Sequence, residues 1–130
     1  MANIVGCLFI SGETKKFLLL RRSKSPNDKF GGYWSLLTGH MDKGELPYQS
    51  MDRESFEEIG VKRYSLNFHK EKTYENGDKV FHMYYVIVPK EFEPKLNEEN
   101  IDYVWTDLET LPTPLYPGTR EKIKSILTLI

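Results

Sequence analysis

A stretch typical of an amphipathic helix, residues 47–60, constrains the fold most, because runs typical of β-strands lie on both sides of it. Pro47 can occupy the first turn of a helix, where its missing N–H leaves no hydrogen bond unmade. Gly60 is a typical helix stop. Between them, apolar side chains recur at helical spacing at Tyr48, Met51, Phe56 and Ile59. The pattern predicts one helix inserted into a β-rich chain.

The strand-like runs are rich in β-branched, aromatic and aliphatic residues. They cover residues 3–10, 16–21 and 34–38 before the helix, and residues 64–74, 79–88 and 101–106 after it. Asn76 and Gly77 predict a type I′ hairpin between two of these runs, because both residues tolerate positive φ. A last helix is predicted over residues 119–129. This order predicts an α+β fold, an α/β/α sandwich in which helices flank a mixed β-sheet.

Composition excludes several classes of protein. The chain has 130 residues without a repeat or a linker-like tract, which predicts a single domain over residues 1–130. Its 18 Lys+Arg and 19 Asp+Glu give a net charge of -1, so we expect no general attraction to nucleic acid or to an anionic membrane. The single cysteine, Cys7, excludes a disulfide framework and a multi-cysteine zinc site. Without a bilayer-spanning apolar run or a signal-peptide pattern, we expect a cytoplasmic protein.

The predicted helix carries a cluster of acids. Glu57 and Glu58 follow Glu54 by three and four residues, so the three carboxylates share one helix face. Like charges at this spacing destabilise a helix by roughly a few tenths of a kcal/mol per pair, and the helix dipole disfavours anions in its second half. A hard divalent cation such as Mg²⁺ or Mn²⁺ would offset both costs. The helix alone leaves two other interpretations open: a solvated face in which Arg53 pairs with Glu57, or a face that docks a basic partner.

The residues around this cluster match a longer pattern. Gly39 is followed by five residues, Glu45, seven residues, and then Arg-Glu-Ser-Phe-Glu-Glu-Ile-Gly-Val at residues 53–61. This stretch resembles the Nudix box, which has its glycines, glutamates and arginine at the same spacings. Ser55 departs from the pattern, because the family usually has an aliphatic residue there. Leu-Thr-Gly at residues 37–39 also stands where the family commonly has Pro-Gly-Gly.

The resemblance implies the Nudix fold, with Mg²⁺ or Mn²⁺ as cofactor. It also implies hydrolysis of a diphosphate linkage in a nucleoside diphosphate joined to another group. The short chain is most similar to the small nucleoside-triphosphate pyrophosphohydrolases of the family. Hydrolysis of ADP-ribose, of dinucleoside polyphosphates or of RNA 5′ ends is an alternative, and so is a non-catalytic nucleotide-binding sensor domain. The implied partner is a small nucleotide rather than a membrane or a nucleic acid, and both a monomer and a homodimer stay open.

The resemblance and the surrounding residues give candidate roles. The candidate catalytic residues are Arg53, Glu54 and Glu57. The candidate metal ligands are Glu54, Glu57, Glu58, Glu45, the backbone carbonyl of Thr38, and one of Glu98 and Glu99. The candidate substrate-binding residues are Arg21, Arg22, Gly39 and Trp34. The sequence leaves open whether Glu54 or a loop glutamate accepts the proton of the attacking water.

Overall fold

A mixed sheet of seven strands runs through the computed structural model, which describes residues 2–130. Met1, the first residue of the predicted domain, lies outside the described residues. The strands are β1 (Ala2–Ser11), β2 (Phe17–Arg22), β3 (Trp34–Ser35), β4 (Leu37–His40), β5 (His69–Asn76), β6 (Lys79–Val88) and β7 (Asn100–Thr106). The α-helices of the described chain are α1 (Pro47–Ile59) and α2 (Thr119–Leu127), and a short 3₁₀ helix covers Leu108–Thr110.

The sheet is mixed because β1 pairs in parallel with β6, while the other strand pairs are antiparallel. The main strand order is β3-β2-β1-β6-β5, with β4 paired to β1 and β7 paired to β2. One lateral row across the centre joins Phe81 of β6, Ile4 of β1 and His40 of β4. This row connects β4, the strand that precedes α1, with β6, which lies on the other side of β1.

Two hydrophobic cores lie on opposite faces of the sheet, because successive residues of β1 point to opposite sides. The core under α1 includes Val5, Cys7, Phe9, Met51 and Ile59. The core under α2 includes Leu8, Ile10, Ile123 and Ile126. Full burial of each such aliphatic or aromatic side chain contributes roughly 1.5–3 kcal/mol. The predicted fold class, a mixed sheet flanked by helices on both faces, is confirmed.

The inserted helix begins and ends where its sequence signals predict. Pro47 is its first residue, and the preceding N–H of Leu46 donates to Oε1 of Gln49 at 2.8 Å. Gly60 follows its last residue with φ 76, in the left-handed region that glycine adopts without strain. The other helix, predicted to reach residue 129, ends at Leu127.

The strand predicted over residues 64–74 begins only at His69, so its first half is wrong. The buried carboxylate of Asp52 on α1 explains the difference. It accepts hydrogen bonds from the backbone N–H of Tyr64 at 2.8 Å and from the guanidinium of Arg63. These contacts hold the segment in turns against α1, and Tyr64 has φ 61.

Two other predicted boundaries also differ from the structure. The run over residues 34–38 is two short strands, β3 and β4, which are separated at Leu36. The hairpin turn is formed by Gly77 and Asp78, because Asn76 still pairs with Lys79. Gly77 has positive φ (63°) and Asp78 does not, as in a type II′ turn, so the predicted type I′ turn is wrong.

Among the described residues, neither α1 nor α2 has the length and apolar character that a helix needs to cross a bilayer.

Candidate active site

A cleft of about 610 Å³ opens beside the N-terminal half of the sheet's central strands. One end is formed by carboxylates of α1, by Glu99, and by the backbone around Gly39 on β4. The other end is formed by β6 and by the first turn of α2. The fold therefore brings residues from both sides of the sheet to one concave surface.

Three glutamates meet at the first end of the cleft. One carboxylate oxygen from each of Glu54, Glu58 and Glu99 lies within 4.8 Å of the others. Glu54 and Glu58 are 6% and 3% exposed, although both are charged residue types that are seldom buried unpaired. Because Glu54 and Glu58 are buried, they lie neither on a solvated face nor on a surface that could dock a basic partner. Glu57 is exposed and pairs with Arg53, as the solvated-face interpretation predicts for that pair.

The carboxylates of Glu54 and Glu58 each have an oxygen that lacks a protein partner. Oε2 of Glu54 and Oε2 of Glu58 are buried and accept no hydrogen bond from the described chain. A buried carboxylate oxygen without a partner costs free energy unless a cation or a donor reaches it. Hard carboxylate oxygens at this spacing suit Mg²⁺ or Mn²⁺, so the residues present fit a divalent cation.

The pKa shifts of Glu58 and Glu99 also favour a bound cation. Burial, followed by the close approach of the Glu54 carboxylate and the negative charge of Glu99, raises the pKa of Glu58 to about 10. Only Asn100, whose Nδ2 donates to Oε1 of Glu58 at 3.0 Å, opposes this shift. Burial and the charge of Glu54 also raise the pKa of Glu99. The protein atoms alone favour protonated acids here, and a cation reverses that preference.

Arg53 organises the other carboxylates of the site. Its Nε and Nη2 donate to the two oxygens of Glu45 at 2.7 and 3.0 Å, a bidentate pair. Its Nη1 donates to Oε1 of Glu54 and to Oε1 of Glu57, both at 2.9 Å. Its Nη2 also donates to the backbone oxygen of His40 at 3.1 Å. One guanidinium thus orients three carboxylates and ties α1 to the end of β4.

The contacts of Glu45 and Glu57 differ from those of the three clustered glutamates. The hydrogen bonds from Arg53 hold the pKa of Glu45 at about 2, so Glu45 pairs with the guanidinium rather than joining the cluster. Glu57 lines the cleft with its side chain 46% exposed. It lies beside the clustered carboxylates but outside the group within 4.8 Å.

Gly39 is required by the close approach of α1 to β4. A Cβ built on Gly39 would lie 2.6 Å from Cγ of Glu54 and closer still to its carboxylate. The glycine therefore makes the space in which the Glu54 side chain sits. Thr38 and Gly39 both line the cleft.

We predict that Gly39→Ala destabilises the protein by about 1–3 kcal/mol and lowers kcat/KM, because the added methyl group must displace the Glu54 carboxylate. Urea unfolding and steady-state kinetics check both effects. Gly12→Ala is the matched control, because a Cβ there lies an ordinary 3.4 Å from its nearest neighbour. Wild-type stability and activity in Gly39→Ala would show that Glu54 has room to move.

Of the predicted substrate-binding side chains Arg21, Arg22 and Trp34, the structure places that of Arg22 at the cleft. Arg22 lines the cleft, with Nη2 paired to Asp28 at 2.8 Å and its Nε buried without a partner in the described chain. Arg21 instead donates from Nε to the backbone oxygen of Gly32 at 3.0 Å. Trp34 is 9% exposed and belongs to the core under α2. Neither Arg21 nor Trp34 is among the described residues that line the cleft.

Of the two loop glutamates, the structure brings Glu99 to the cluster. Glu98 is exposed, and its backbone oxygen accepts a hydrogen bond from Oγ of Ser23. Sequence reasoning missed Asn100, the partner of Glu58, although it directly follows Glu99. It also missed Lys79 and Phe81, whose alternation along β6 indicates one strand face, and Lys122, for which no local pattern gives a signal.

The family model described as NUDIX domain matches residues 2–126. An octanoyltransferase of Myxococcus xanthus is 29% identical over 123 residues, which cover 87% of this chain and 32% of that protein. An RNA pyrophosphohydrolase of Mesorhizobium japonicum is 35% identical over 65 residues, which cover 48% of this chain and 37% of that protein. The chain thus matches about a third of the length of these curated relatives.

Among solved structures, the dihydroneopterin triphosphate pyrophosphohydrolase of E. coli superimposes with a TM-score of 0.78. The match covers 98% of this chain and 96% of that one at 19% sequence identity. At that identity the likeness concerns the fold, and it extends over nearly the whole of both chains.

Proposed function

The chain belongs to the Nudix family, and from that premise we propose that it is a divalent-metal-dependent pyrophosphohydrolase. Its proposed substrate is a nucleoside diphosphate joined to another group, with a nucleoside triphosphate favoured. The observation that carries the proposal is the pair of buried, unpartnered oxygens of Glu54 and Glu58, which face Glu99 in the cleft. Structural carboxylates are buried with partners, whereas ligands of a cation keep an oxygen available.

In this proposal the ion is held by Glu54, Glu58 and Glu99, with the backbone oxygen of Thr38 as a further candidate. Bound there, Mg²⁺ or Mn²⁺ would lower the pKa of a water molecule and offset charge on the phosphate oxygens. Asn100 orients Glu58, and Arg53 orients Glu54, so neither carboxylate has to reorganise during the reaction.

The reaction forms one bond from a water oxygen to phosphorus and breaks the bond from phosphorus to the bridging oxygen. The bridging oxygen leaves with the electron pair on the departing phosphate group. Glu57 is the proposed acceptor of the water's proton, because it lines the cleft and Arg53 fixes its Oε1. Arg22, which lines the cleft, is the proposed donor to a phosphate oxygen.

Two relatives support pyrophosphate hydrolysis, each through its own activity. The E. coli protein of similar fold is a dihydroneopterin triphosphate pyrophosphohydrolase, and the Mesorhizobium japonicum relative is an RNA pyrophosphohydrolase. A cleft of about 610 Å³ accommodates a single nucleotide. The net charge of -1 gives no general attraction to RNA, so we favour a free nucleotide and keep 5′-triphosphate RNA as the alternative substrate.

Turnover of a substrate panel with Mg²⁺ tests the proposal. The panel contains nucleoside and deoxynucleoside triphosphates, 8-oxo-dGTP, ADP-ribose, NADH, diadenosine polyphosphates, nucleotide sugars and 5′-triphosphate RNA. We expect a triphosphate to give the nucleoside monophosphate and pyrophosphate, with little turnover by Glu54→Gln. Wild type and Glu54→Gln equally inert on every member would overturn catalysis and favour a nucleotide-binding sensor.

A further inference from the structure

The end of the cleft away from the glutamates has a different chemistry. It is lined by an apolar and aromatic surface with two lysines: Ile4, Leu36, Lys79, Phe81, Met83 and Lys122. We term these six residues the far pocket. Phe81 lies in the row that crosses β1 to His40 of β4. With strands about 4.8 Å apart, the backbone of Phe81 lies roughly 10 Å from that of His40 at the end of β4.

Lys122 is held in this pocket by two aromatic rings. Its Nζ lies 5.1 Å from the ring centroid of Tyr74 and 5.2 Å from that of Phe81. Gly118, which precedes α2 with φ 85, leaves the necessary space, because a Cβ there would lie 3.0 Å from Nζ. The ammonium group is half-buried by this arrangement, and the burial lowers the pKa of Lys122.

No acceptor of the described chain satisfies the Lys122 ammonium group. No carboxylate oxygen lies within 4.0 Å of it, and its side chain donates no hydrogen bond to residues 2–130. The nearest buried acid, Glu71, is already engaged. Its two oxygens accept from the hydroxyl of Tyr74 at 2.8 Å and from Oγ of Ser125 at 2.9 Å.

The engaged carboxylate of Glu71 also ties β5 to α2. The Glu71 side chain is 3% exposed, and it accepts hydrogen bonds from Tyr74 on the same strand and from Ser125 on α2, about one turn after Lys122. The ring under the ammonium group and the helix that carries it are thus fixed by one buried carboxylate. A donor held in this way recognises its acceptor without a large entropic cost.

We propose that Lys122 is the specificity-determining residue of the cleft, and that it donates to the oxo group of a nucleobase lying against Phe81. This rests on the proposed function, since the diphosphate must lie at the glutamate end. A planar base suits the apolar walls of Ile4, Leu36 and Met83, where a second phosphate group would lose its hydration. The far pocket therefore binds a base rather than an anion.

The chemistry of lysine selects among the bases. An ammonium group has three donors and no acceptor. Guanine presents two acceptors, O6 and N7, on one edge, whereas adenine presents a donor at N6 beside N7. Lys122 therefore favours a 6-oxopurine nucleotide, with guanine as the common form, over an adenine nucleotide.

The test compares kcat/KM for GTP and ATP in wild type and in Lys122→Met. We expect the GTP to ATP ratio to fall on the order of 10- to 100-fold, through a higher KM for GTP. Lys122→Arg should retain most of the preference. Lys124→Met is the matched control, because Lys124 is exposed on the same helix and does not line the cleft. Affinities for GMP and AMP, measured by calorimetry on the same variants, give a readout that needs no turnover.

The outcomes separate this inference from the proposed function. Turnover of nucleotides with an unchanged GTP to ATP ratio in Lys122→Met would overturn the role of Lys122 and leave the proposed function standing. Absence of any turnover in the wild type would overturn the proposed function, and the GMP and AMP affinities would then decide the role of Lys122. If Lys122→Met unfolds at a lower temperature, Lys122→Ala replaces it, since alanine also removes the donor and is the best helix former.

Discussion

Glu58→Gln is expected to abolish most activity while making the metal-free protein more stable. Glutamine keeps the shape of the side chain and its acceptor for Asn100, which donates at 3.0 Å. It removes one carboxylate from a group of three whose oxygens lie within 4.8 Å of one another. We expect kcat/KM to fall further than the roughly 10- to 100-fold loss that follows removal of an outer partner of a metal ligand.

The gain in stability follows from the sign of the pKa shift. Burial raises the pKa of Glu58 from its ordinary value to about 10, so this acid binds a proton in the folded chain that it releases on unfolding. An acid with a raised folded pKa lowers the free energy of unfolding at pH values above its unfolded pKa. Glutamine removes that cost near neutral pH, and a rise of a few degrees in Tm is expected in the presence of EDTA.

Thermal unfolding at pH 7 with EDTA, and kinetics with Mg²⁺, measure the two effects. Glu13→Gln is the control, because Glu13 is exposed in the turn after β1 and makes no ion pair in the described chain. A less stable Glu58→Gln that retained activity would contradict both expectations. It would mean that Glu58 supports the fold and takes no part in the site.

Arg53→Met is expected to lower the free energy of unfolding by about 3–5 kcal/mol, because the four carboxylates of Asp42, Glu45, Glu54 and Glu57 then lose their shared partner. The Arg53 side chain is 16% exposed, and those of Glu45 and Glu54 are 18% and 7% exposed, so water replaces little of the lost pairing. The backbone oxygen of His40 loses a donor as well. Arg53→Lys should recover only part of the loss, because an ammonium group cannot span the bidentate pair with Glu45.

Urea unfolding of the Arg53 variants checks this prediction. Arg120→Met is the matched control, since Arg120 is exposed on α2 and forms no ion pair within residues 2–130. Arg53→Met within about 0.5 kcal/mol of wild type would contradict the account, because surface substitutions typically have effects of that size.

Local patterns were sufficient to predict the helix at the centre of the site. The spacing of Glu54 and Glu58 put both carboxylates on one face, and that face is buried against β4. Spacing cannot report burial, so the solvated and docking interpretations stayed open until the packing of Gly39 on Glu54 was seen. The two paired strands at the centre of the sheet, β1 and β6, were predicted at nearly their observed bounds from their residue composition.

Positions that depend on register could not be predicted. Arg21 and Arg22 are adjacent on β2, so their side chains point to opposite faces of the sheet, and the sequence does not tell which face borders the cleft. Only Arg22 reaches the cleft. Glu98 and Glu99 present the same difficulty, because a loop has no period that orients its side chains. Lys122 reaches the cleft from the last helix, a contact that no local pattern encodes.

Calorimetric titration with Mn²⁺ tests the central claim most directly, because it needs no knowledge of the substrate. The central claim is that Glu54, Glu58 and Glu99 hold a divalent cation that serves pyrophosphate hydrolysis. We expect wild type and Glu13→Gln to bind Mn²⁺ with equal affinity, and Glu54→Gln and Glu58→Gln to bind it at least about tenfold more weakly. Equal Mn²⁺ affinity in all four proteins would contradict the account.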